Sequence, residues 1–288
     1  MTTPGRSPRN SLSRLLERVD HQVADGGPAA DTISSGFPSL DRAIGGGFRR
    51  QDLIVLGGDV GAGKSALALA IAVRAASANQ PVVFMSGEMD DDRVFERVLA
   101  IEGRAQIDDM RTAKVTDEGR AALGAAAFRY KSLPLHVMAS DPEDFHGTFR
   151  QVWEHDPALV VVDNLQLLKP PDARLSQAED HAATLRALKG MALDRRVALL
   201  ALSHLPDHSP SRDDPRPRLS DFGALGSVKQ QADLVLGLFR EEMYSSDRGL
   251  DGATELILLK NRNGPVGFID LYFYKQWMRF EDMLDPDR

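Results

Sequence analysis

The sequence of 288 residues contains no cysteine. Disulfide bonds and thiolate metal sites are therefore excluded, and a reducing compartment is the expected environment. No apolar run reaches the roughly 20 residues that a membrane-spanning helix needs. The first residues, Met1 to Arg6, lack the apolar segment of a secretion signal. Together these absences predict a cytoplasmic protein.

An excess of positive charge is also missing. Lys and Arg number 35 and Asp and Glu number 42, which gives a formal net charge of −7. Nucleic acid would therefore have to bind at a local basic patch. Hydrophobic residues make up 42% of the chain and charged residues 27%, which excludes wholesale disorder. The length leaves room for one large α/β domain or two small ones.

The first 31 residues differ in character from the rest. Residues 1–10 are polar and contain two prolines and a glycine, so we expect a flexible tail there. Residues 11–31 hold an amphipathic helix followed by a Gly-Gly-Pro hinge. Its apolar face consists of Leu12, Leu15, Leu16, Val19 and Val23. This stripe has two interpretations: the helix packs on its own domain, or it docks on a neighbouring subunit.

Strand-like and helical segments alternate from residue 32 to residue 288, which predicts a single α/β domain. The apolar runs are Leu53–Leu56, Val82–Met85, Leu135–Met138, Leu159–Val162, Val197–Leu202 and Leu234–Phe239. The helical stretches between them are 64–77, 90–103, 116–131, 143–155 and 178–194. Continuous apolar strands separated by helices predict a mostly parallel sheet covered by helices on both faces. After residue 252, Glu255–Leu259 and Phe268–Phe273 flank a turn sequence and predict an antiparallel edge hairpin.

A complete phosphate-binding motif lies between the first predicted strand and the first helix of this domain. Residues 58–65 match the P-loop pattern G-x-x-x-x-G-K-[ST] in full. Glycines let successive backbone N–H groups face one anion, and the helix N-terminus adds the positive end of its dipole. Lys64 would supply a cation to the β- and γ-phosphates, and the Ser65 hydroxyl is a hard ligand for Mg²⁺. The other interpretation is a glycine-rich turn without a ligand.

Two carboxylates are candidates to complete the site. Asp163 ends the apolar run 159–162, and open α/β sheets place their ligands at such strand ends. It is predicted to hold the hydration shell of Mg²⁺, the alternative being a residue that caps a turn. Glu88 follows the strand at 82–86 and would face the γ-phosphate and activate water if that strand neighbours the P-loop strand. Alternatively, Glu88 is one of several acids at a helix N-terminus.

Six motifs occur in an order that resembles a known family. They are Ser35–Asp41, Glu88-Met89, Asp163–Leu167, Ala201–Leu205, Gly226–Asp233 and Lys260–Gly267, in addition to the P-loop. Together they resemble the C-terminal, RecA-like motor domain of the DnaB-type replicative helicases over roughly residues 32–282. A more distant resemblance is to the RadA-type and KaiC-type RecA-like ATPases. The resemblance implies a RecA-like P-loop NTPase fold and an ATP-hydrolysing ring motor that moves on single-stranded DNA in DNA replication.

The resemblance also implies roles for individual residues. Those that would bind ATP are Gly58, Asp59, Val60, Gly61, Ala62, Gly63, Lys64, Ser65, Ala66 and Arg97. Ser65 and Asp163 would surround Mg²⁺, and Glu88 matches the catalytic glutamate. His204 stands where the family has a glutamine that senses the γ-phosphate. Lys64 would act on the phosphates with these residues.

A basic pair near the C-terminus matches residues that reach into the neighbouring subunit's site. This pair is Lys260 and Arg262, and without the resemblance both would be solubilising charges on an edge hairpin. A cation supplied by a neighbour requires a heterologous interface that closes into a ring or continues as a filament. DnaB-type motors close as hexamers, so the resemblance implies a homohexameric ring in which the helix at 11–24 docks on the adjacent subunit. Only 31 residues precede the motor domain, which argues against a primase partnership.

The positions that would contact DNA depart from the family pattern. Gly223 and Ala224 replace an arginine and a glutamate, so a charge-assisted contact to phosphate is missing. Backbone N–H groups near Gly226 and two arginine-bearing loops remain candidates for single-stranded DNA. The candidate side chains are Arg174, Arg212, Arg216 and Arg218. Each loop is otherwise a solvated surface loop.

Two other functions are consistent with the same residues. One is a RecA-like DNA-dependent ATPase that acts in recombination or repair without unwinding. The other is a scaffold that binds nucleotide to close a ring and does not hydrolyse it. ATPase activity stimulated by single-stranded DNA excludes the scaffold, and strand displacement separates the helicase from the non-unwinding ATPase.

Overall fold

A nine-stranded sheet forms the centre of the computed structural model, which describes residues 8–25, 31–169, 176–205, 212–244 and 251–283. The strands of the described chain are β1 Thr32–Ile33, β2 Phe48–Arg49, β3 Leu53–Gly58, β4 Val82–Ser86, β5 Leu135–Ala139, β6 Leu159–Asp163, β7 Ala198–His204, β8 Leu234–Arg240, β9 Ala253–Asn261, β10 Gly267–Tyr274 and β11 Arg279–Asp282. The helices are α1 Pro8–Asp25, α2 Pro38–Ala43, α3 Lys64–Ser77, α4 Asp91–Gly103, α5 Ile107–Arg111, α6 Asp117–Tyr130, α7 Phe145–Glu154, α8 Gln177–Arg195 and α9 Ser227–Gln231.

The strand order of the main sheet is β11-β10-β9-β8-β3-β7-β6-β4-β5. Strands β3 to β8 run parallel, whereas β9, β10 and β11 are antiparallel. The predicted α/β class, a mostly parallel sheet with an antiparallel C-terminal edge, is therefore confirmed. Parallel strands bring their carboxyl ends to one edge of the sheet, and this edge holds the candidate site.

Both faces of the sheet are buried, which explains the continuous apolar runs. Alternate residues of a strand point to opposite faces. In β3, Ile54 and Leu56 belong to a core shared with helices α3 and α4. Leu53 and Val55 belong to a second core shared with helices α7 and α8. Each residue of β3 is buried in consequence, and the prediction of helices on both faces is confirmed.

The predicted C-terminal hairpin is confirmed, and a further strand lies outside it. Strands β9 and β10 pair with Leu258 opposite Gly267. The chain then reverses at Met278, whose φ of 51° lies in the left-handed region, and β11 pairs along β10 as the outermost strand. Asp282 at the end of β11 accepts hydrogen bonds from the backbone N–H and the hydroxyl of Ser39 in α2, at 2.7 and 2.8 Å. The C-terminal strand is thereby tied to the segment that precedes the P-loop.

Helix α1 begins at Pro8, inside the segment where we expected a tail. Its apolar stripe is exposed in the single chain, from 44% for Val19 to 79% for Val23. The interpretation in which this stripe packs on its own domain therefore does not describe the isolated chain. Within the described ranges, no helix is both long and apolar enough to cross a membrane.

Candidate active site

The P-loop connects strand β3 to helix α3 through a turn that requires glycine. Gly61 and Gly63 have φ values of 82° and 101°, a left-handed conformation that L side chains rarely adopt. The turn places Lys64 at the first position of α3, where the side chain is 6% exposed. Its Nζ donates to the carbonyl oxygens of Gly58 and Asp59, both at 2.9 Å. The turn therefore holds its own cation next to the backbone N–H groups at the start of α3.

Burial lowers the pKa of Lys64, and nearby carboxylates oppose this effect. The carboxylates that raise its pKa belong to Asp163, Asp59 and Glu88. A cation among three carboxylates forms a compact charge cluster at the mouth of the P-loop. An incoming triphosphate would enter this cluster and compete with the carboxylates for Lys64.

Asp163 and Ser65 have the chemistry of a magnesium site. Asp163 ends β6, is 3% exposed, and its Oδ2 has no hydrogen-bond partner in the described part of the chain. Burial raises the pKa of Asp163, while a hydrogen bond from the Ser65 hydroxyl lowers it. A buried carboxylate oxygen without a partner is costly, and Mg²⁺ prefers hard oxygen ligands such as these two side chains supply. The donor set therefore fits the ion that the P-loop motif predicts.

Glu88 lies at the site although its strand does not neighbour the P-loop strand, which was the condition set from the sequence. Strand β4 does not neighbour β3, because β7 and β6 lie between them. The expectation that Glu88 would face the γ-phosphate from an adjacent strand is therefore wrong in its premise. Glu88 nevertheless lies at the same carboxyl edge, because Ser86 of β4 pairs with Asp163 of β6. Its Oε1 lies 3.1 Å from Nε2 of His204, at the end of β7.

The alternative role for Glu88, as an acid at a helix N-terminus, falls to another residue. Asp90 is the N-cap of α4, and its Oδ1 accepts a hydrogen bond from the backbone N–H of Arg93 at 2.9 Å. Asp91 and Asp92 occupy the first turn of this helix. Glu88 precedes the cap by two residues and turns toward the P-loop.

A cavity of about 410 Å³ lies over the P-loop. This volume is in the range of small-molecule and nucleotide sites. It is lined by Val60, Gly61, Gly63, Lys64, Ser65, Ala66, Glu88, Arg97, His204, Arg240, Phe273, Lys275 and Met278. The cavity thus brings together the phosphate-binding turn, the predicted catalytic glutamate Glu88 and the predicted γ-phosphate contact His204. It also includes Arg97 from α4.

Several residues of this cavity were not predicted from the sequence. Arg240, at the end of β8, is 6% exposed and donates from Nη1 to the carbonyl oxygen of Gly61 at 3.0 Å. Its guanidinium lies over the ring of Phe273, 4.4 Å from the centroid. Lys275 and Met278 follow β10. No local signal identifies these residues, since long-range strand pairing brings them to the P-loop.

Two polar residues after Asp163 were part of a quoted motif without an assigned role. Asn164 is 2% exposed and contacts both Glu88 and His204 through its amide nitrogen, at 2.5 and 2.8 Å. Gln166 donates to the Ser203 hydroxyl and to the His204 carbonyl oxygen, both at 3.1 Å. The end of β6 is therefore fastened to the end of β7 by side-chain amides.

Lys260 and Arg262 lie at the opposite end of the sheet from their own P-loop. Strand β9 is antiparallel to β8, so Asn261 faces Leu234 near the amino ends of the parallel strands. The six residues of β3 separate the two ends by at least about 15 Å. Lys260 Nζ donates to the Lys229 carbonyl oxygen at 2.7 Å. These two cations therefore do not share a site with the P-loop of the same chain.

The structure separates the candidate DNA-contacting arginines into paired and exposed ones. Arg212 is paired with Asp221 at 2.8 Å, and Arg216 with Glu255 through two nitrogens at 2.8 and 2.6 Å. Arg218 is exposed. Gly226 is also exposed and caps helix α9 with a φ of 76°. Arg174 lies outside the described residues.

Comparisons with known proteins agree with this geometry. The family described as "DnaB-like helicase C terminal domain" matches residues 32–282. The chain is 32% identical over 257 residues to "Replicative DNA helicase DnaB" of Geobacillus stearothermophilus, which covers 87% of this chain and 56% of that protein. Its identity with the protein of the same name from Pasteurella multocida (strain Pm70) is 29% over 296 residues, 99% of this chain and 63% of that protein. The chain thus spans about three-fifths of the length of the curated relatives it matches.

Two solved structures are similar over nearly the whole chain. One, described as an ATPase domain, superposes with a TM-score of 0.87 at 26% identity, covering 97% of this chain and 99% of that chain. "The Structure Of A DnaB-Like Replicative Helicase And Its Interactions With Primase" superposes with a TM-score of 0.84 at 28% identity. That match covers 96% of this chain and 67% of the other.

Proposed function

The chain belongs to the DnaB-like helicase C-terminal domain family, and on that premise we propose that it is the ATP-hydrolysing motor of a replicative DNA helicase. The observation that carries the proposal is the single cavity that joins the P-loop to Glu88, Arg97 and His204. The names of the curated relatives support the same activity. The domain would comprise residues 32–288, and the linker helix that precedes it begins at Pro8 instead of residue 11.

ATP would bind with its phosphates in the turn of residues 58–66. The left-handed glycines and the start of α3 present backbone N–H groups to the anion, and Lys64 would exchange its carbonyl partners for the β- and γ-phosphates. Ser65 and Asp163 would hold Mg²⁺, which when bound neutralises phosphate charge as a Lewis acid. Arg97 lines the same cavity and would contact the nucleotide.

Glu88 would act as the base that orients and deprotonates the attacking water. Its carboxylate lies in the cavity with Lys64 and Ser65, where the γ-phosphate would sit. His204 would donate a hydrogen bond to the γ-phosphate, since a neutral imidazole has one N–H donor. Phosphoryl transfer is accelerated mainly by such positioning and by charge stabilisation.

Further cations for the transition state would come from a second copy of the chain. Lys260 and Arg262 cannot reach their own P-loop, because the length of β3 separates them. A heterologous interface would bring them to a neighbour's P-loop, and the form we propose for it is a closed ring of six copies. The exposed apolar stripe of α1 would dock on the adjacent subunit.

Single-stranded DNA would pass through this ring, in the cytoplasm. The paired side chains of Arg212 and Arg216 offer little free charge, so contacts would depend on Arg218 and on backbone N–H groups near Gly226. Arg174 is a further candidate for this surface. Backbone and phosphate contacts of this kind track a strand without reading its sequence.

The test combines three measurements on the purified chain. ATPase rate is measured with and without single-stranded DNA, strand displacement is measured on a forked duplex, and mass is measured by light scattering with and without an ATP analogue. The proposal predicts DNA-stimulated hydrolysis, displacement and an analogue-dependent ring, with hydrolysis lost in Glu88→Ala and Arg262→Ala. Hydrolysis without displacement would indicate the non-unwinding ATPase instead, and a ring without hydrolysis would indicate the scaffold.

A further inference from the structure

The amide of Asn164 links the proposed base to the proposed γ-phosphate contact. Its Nδ2 lies 2.5 Å from Oε1 of Glu88 and 2.8 Å from Nε2 of His204. Glu88 follows β4 and His204 ends β7, and Asn164 follows β6, which lies between β4 and β7 in the sheet. One buried side chain therefore touches both groups that would act on the γ-phosphate and its water.

The orientation of this amide is fixed by a backbone contact. Oδ1 of Asn164 accepts a hydrogen bond from the backbone N–H of Gln166 at 3.1 Å, as the N-cap of a short 3₁₀ turn. Because Oδ1 is the acceptor there, the opposite atom must be the Nδ2 donor. Nδ2 therefore donates to Oε1 of Glu88 and lies within hydrogen-bond distance of Nε2 of His204.

This arrangement restrains both neighbours. Nε2 of His204 lies 2.8 Å from Nδ2 of Asn164 and 3.1 Å from Oε1 of Glu88, so this edge of the imidazole contacts both side chains. Gln166 holds the backbone of the same histidine through its N–H, at 3.2 Å, and its carbonyl oxygen, at 3.1 Å. Glu88 is anchored by Oε1, which leaves Oε2 for water. The side chain of Glu88 is 47% exposed, so without this anchor it would sample several rotamers.

We propose that Asn164 is a positioning residue for ATP hydrolysis, which acts by orienting the Glu88 carboxylate. The inference rests on the proposed function of Glu88 as the base. Misplacing a catalytic group by about 1 Å costs on the order of 10²-fold in rate. Asn164 touches neither the P-loop nor Arg97 in the hydrogen bonds described, so its loss should lower kcat far more than nucleotide affinity.

Asn164→Ser is the most informative variant. A serine at this position keeps an oxygen that can cap the turn at Gln166, adds no charge beside Asp163, and is too short to bridge Glu88 and His204. We expect kcat to fall about 10²-fold, with KM for ATP, the Kd of a non-hydrolysable analogue and the melting temperature close to those of the wild type. A kcat within twofold of the wild type, or a loss confined to KM, would overturn the inference.

A double-mutant cycle separates positioning from a merely structural role. In a Glu88→Gln background the base is already absent, so adding Asn164→Ser should not lower the residual rate further. Multiplicative losses in the two variants would show that Asn164 acts independently of Glu88 and would overturn the inference. A wild-type chain that binds ATP but does not hydrolyse it refutes the proposed function, and this inference with it. Normal wild-type turnover with an unaffected Asn164→Ser variant refutes the inference alone.

Discussion

Arg262 forms an ion pair with Asp233 of its own chain, with 3.1 Å between Nε and Oδ1. The side chain of Asp233 is 4% exposed, and its Oδ2 also accepts from the backbone N–H of Leu53 at 2.9 Å and from Lys189 Nζ at 2.5 Å. Since Leu53 opens the strand that leads to the P-loop, one carboxylate fastens the hairpin cation to that strand. The cation that we propose serves a neighbour is therefore tied to the central sheet of its own subunit.

Mixing two inactive variants tests whether this cation acts across an interface. Arg262→Ala keeps the P-loop and loses the cation, whereas Lys64→Ala keeps the cation and loses a phosphate contact. Each alone should lose ATPase activity by about 10³-fold or more, because a cation supplied by a neighbour contributes 10³–10⁵ in related phosphoryl transfers. Mixed and reassembled, the two should recover measurable activity, since some interfaces then join an intact P-loop to an intact Arg262.

The control for this experiment is the double variant Lys64→Ala with Arg262→Ala mixed with wild-type chains in the same ratios. Such chains contribute neither an intact P-loop nor an intact Arg262, so adding them should only lower the ATPase activity of the wild type. Full activity of Arg262→Ala alone would contradict the prediction.

Gly63→Ala should weaken nucleotide binding. The φ of Gly63 is 101°, and a Cβ there would lie 2.9 Å from Cζ of the buried Phe280. We expect a loss of about 1–2 kcal/mol from backbone strain, and a distortion of the turn that raises the Kd for an ATP analogue at least tenfold, measured by titration calorimetry. Gly190→Ala in the middle of α8 is the matched control, because no atom lies within 4 Å of its added Cβ. That control should bind nucleotide normally and gain about 0.5–1 kcal/mol of stability.

Asp52→Asn should change the pH dependence of stability. Burial, with the charge of Asp233 second, raises the pKa of Asp52 from 3.8 to about 6 in the folded chain. The fold therefore favours the protonated carboxyl, and this stabilisation is complete below pH 4 and is lost as the pH rises through 6. Relative to the wild type, the asparagine variant should become more stable by about 2 kcal/mol between pH 4.5 and pH 7.5.

Urea denaturation at these two pH values measures the difference. Asp270→Asn, at an exposed position of β10, is the control and should follow the wild type at both pH values. A constant difference between Asp52→Asn and the wild type would refute the assigned shift in pKa.

Alanine substitutions at Arg218 and Arg216 should have different effects, the first on DNA binding and the second on stability. Arg218 is exposed, so Arg218→Ala should weaken binding to single-stranded DNA and reduce the slope of log K against log salt by about 1. Arg216 is held by Glu255, and its loss leaves that carboxylate unpaired. Arg216→Ala should lower the free energy of unfolding by about 1 kcal/mol and leave the salt slope unchanged. Fluorescence anisotropy at several salt concentrations gives both slopes, and equal slopes for the two variants would contradict this division.

The P-loop and the sheet were predictable because their signals are local. Residues 58–65 are contiguous, and each buried strand is a run of apolar residues whose length and flanks identify it. The order of the strands is not local, so the sequence did not reveal that β6 and β7 separate β4 from β3. The presence of Glu88 at the site could be expected from its motif, whereas the position of its strand in the sheet could not.

Other parts of the site depend on contacts between distant segments. Arg240 and Gly61 are 179 residues apart in the sequence, and no sequence pattern near either residue indicates their contact. The arginines at 212 and 216 were predicted to be available cations because their partners, Asp221 and Glu255, are recognisable only after folding. Asn164 was visible within a motif, but its role follows from three hydrogen bonds that converge on one amide.

A protomer with its phosphate turn at one end of the sheet and its basic hairpin at the other has a head and a tail. In a closed head-to-tail ring of such protomers, each member would supply its cations to one neighbour and receive cations from the other. A member that lacks both Lys64 and Arg262 would therefore inactivate two catalytic centres, its own and the one to which it supplies a cation. A small fraction of such chains should lower the activity by more than that fraction.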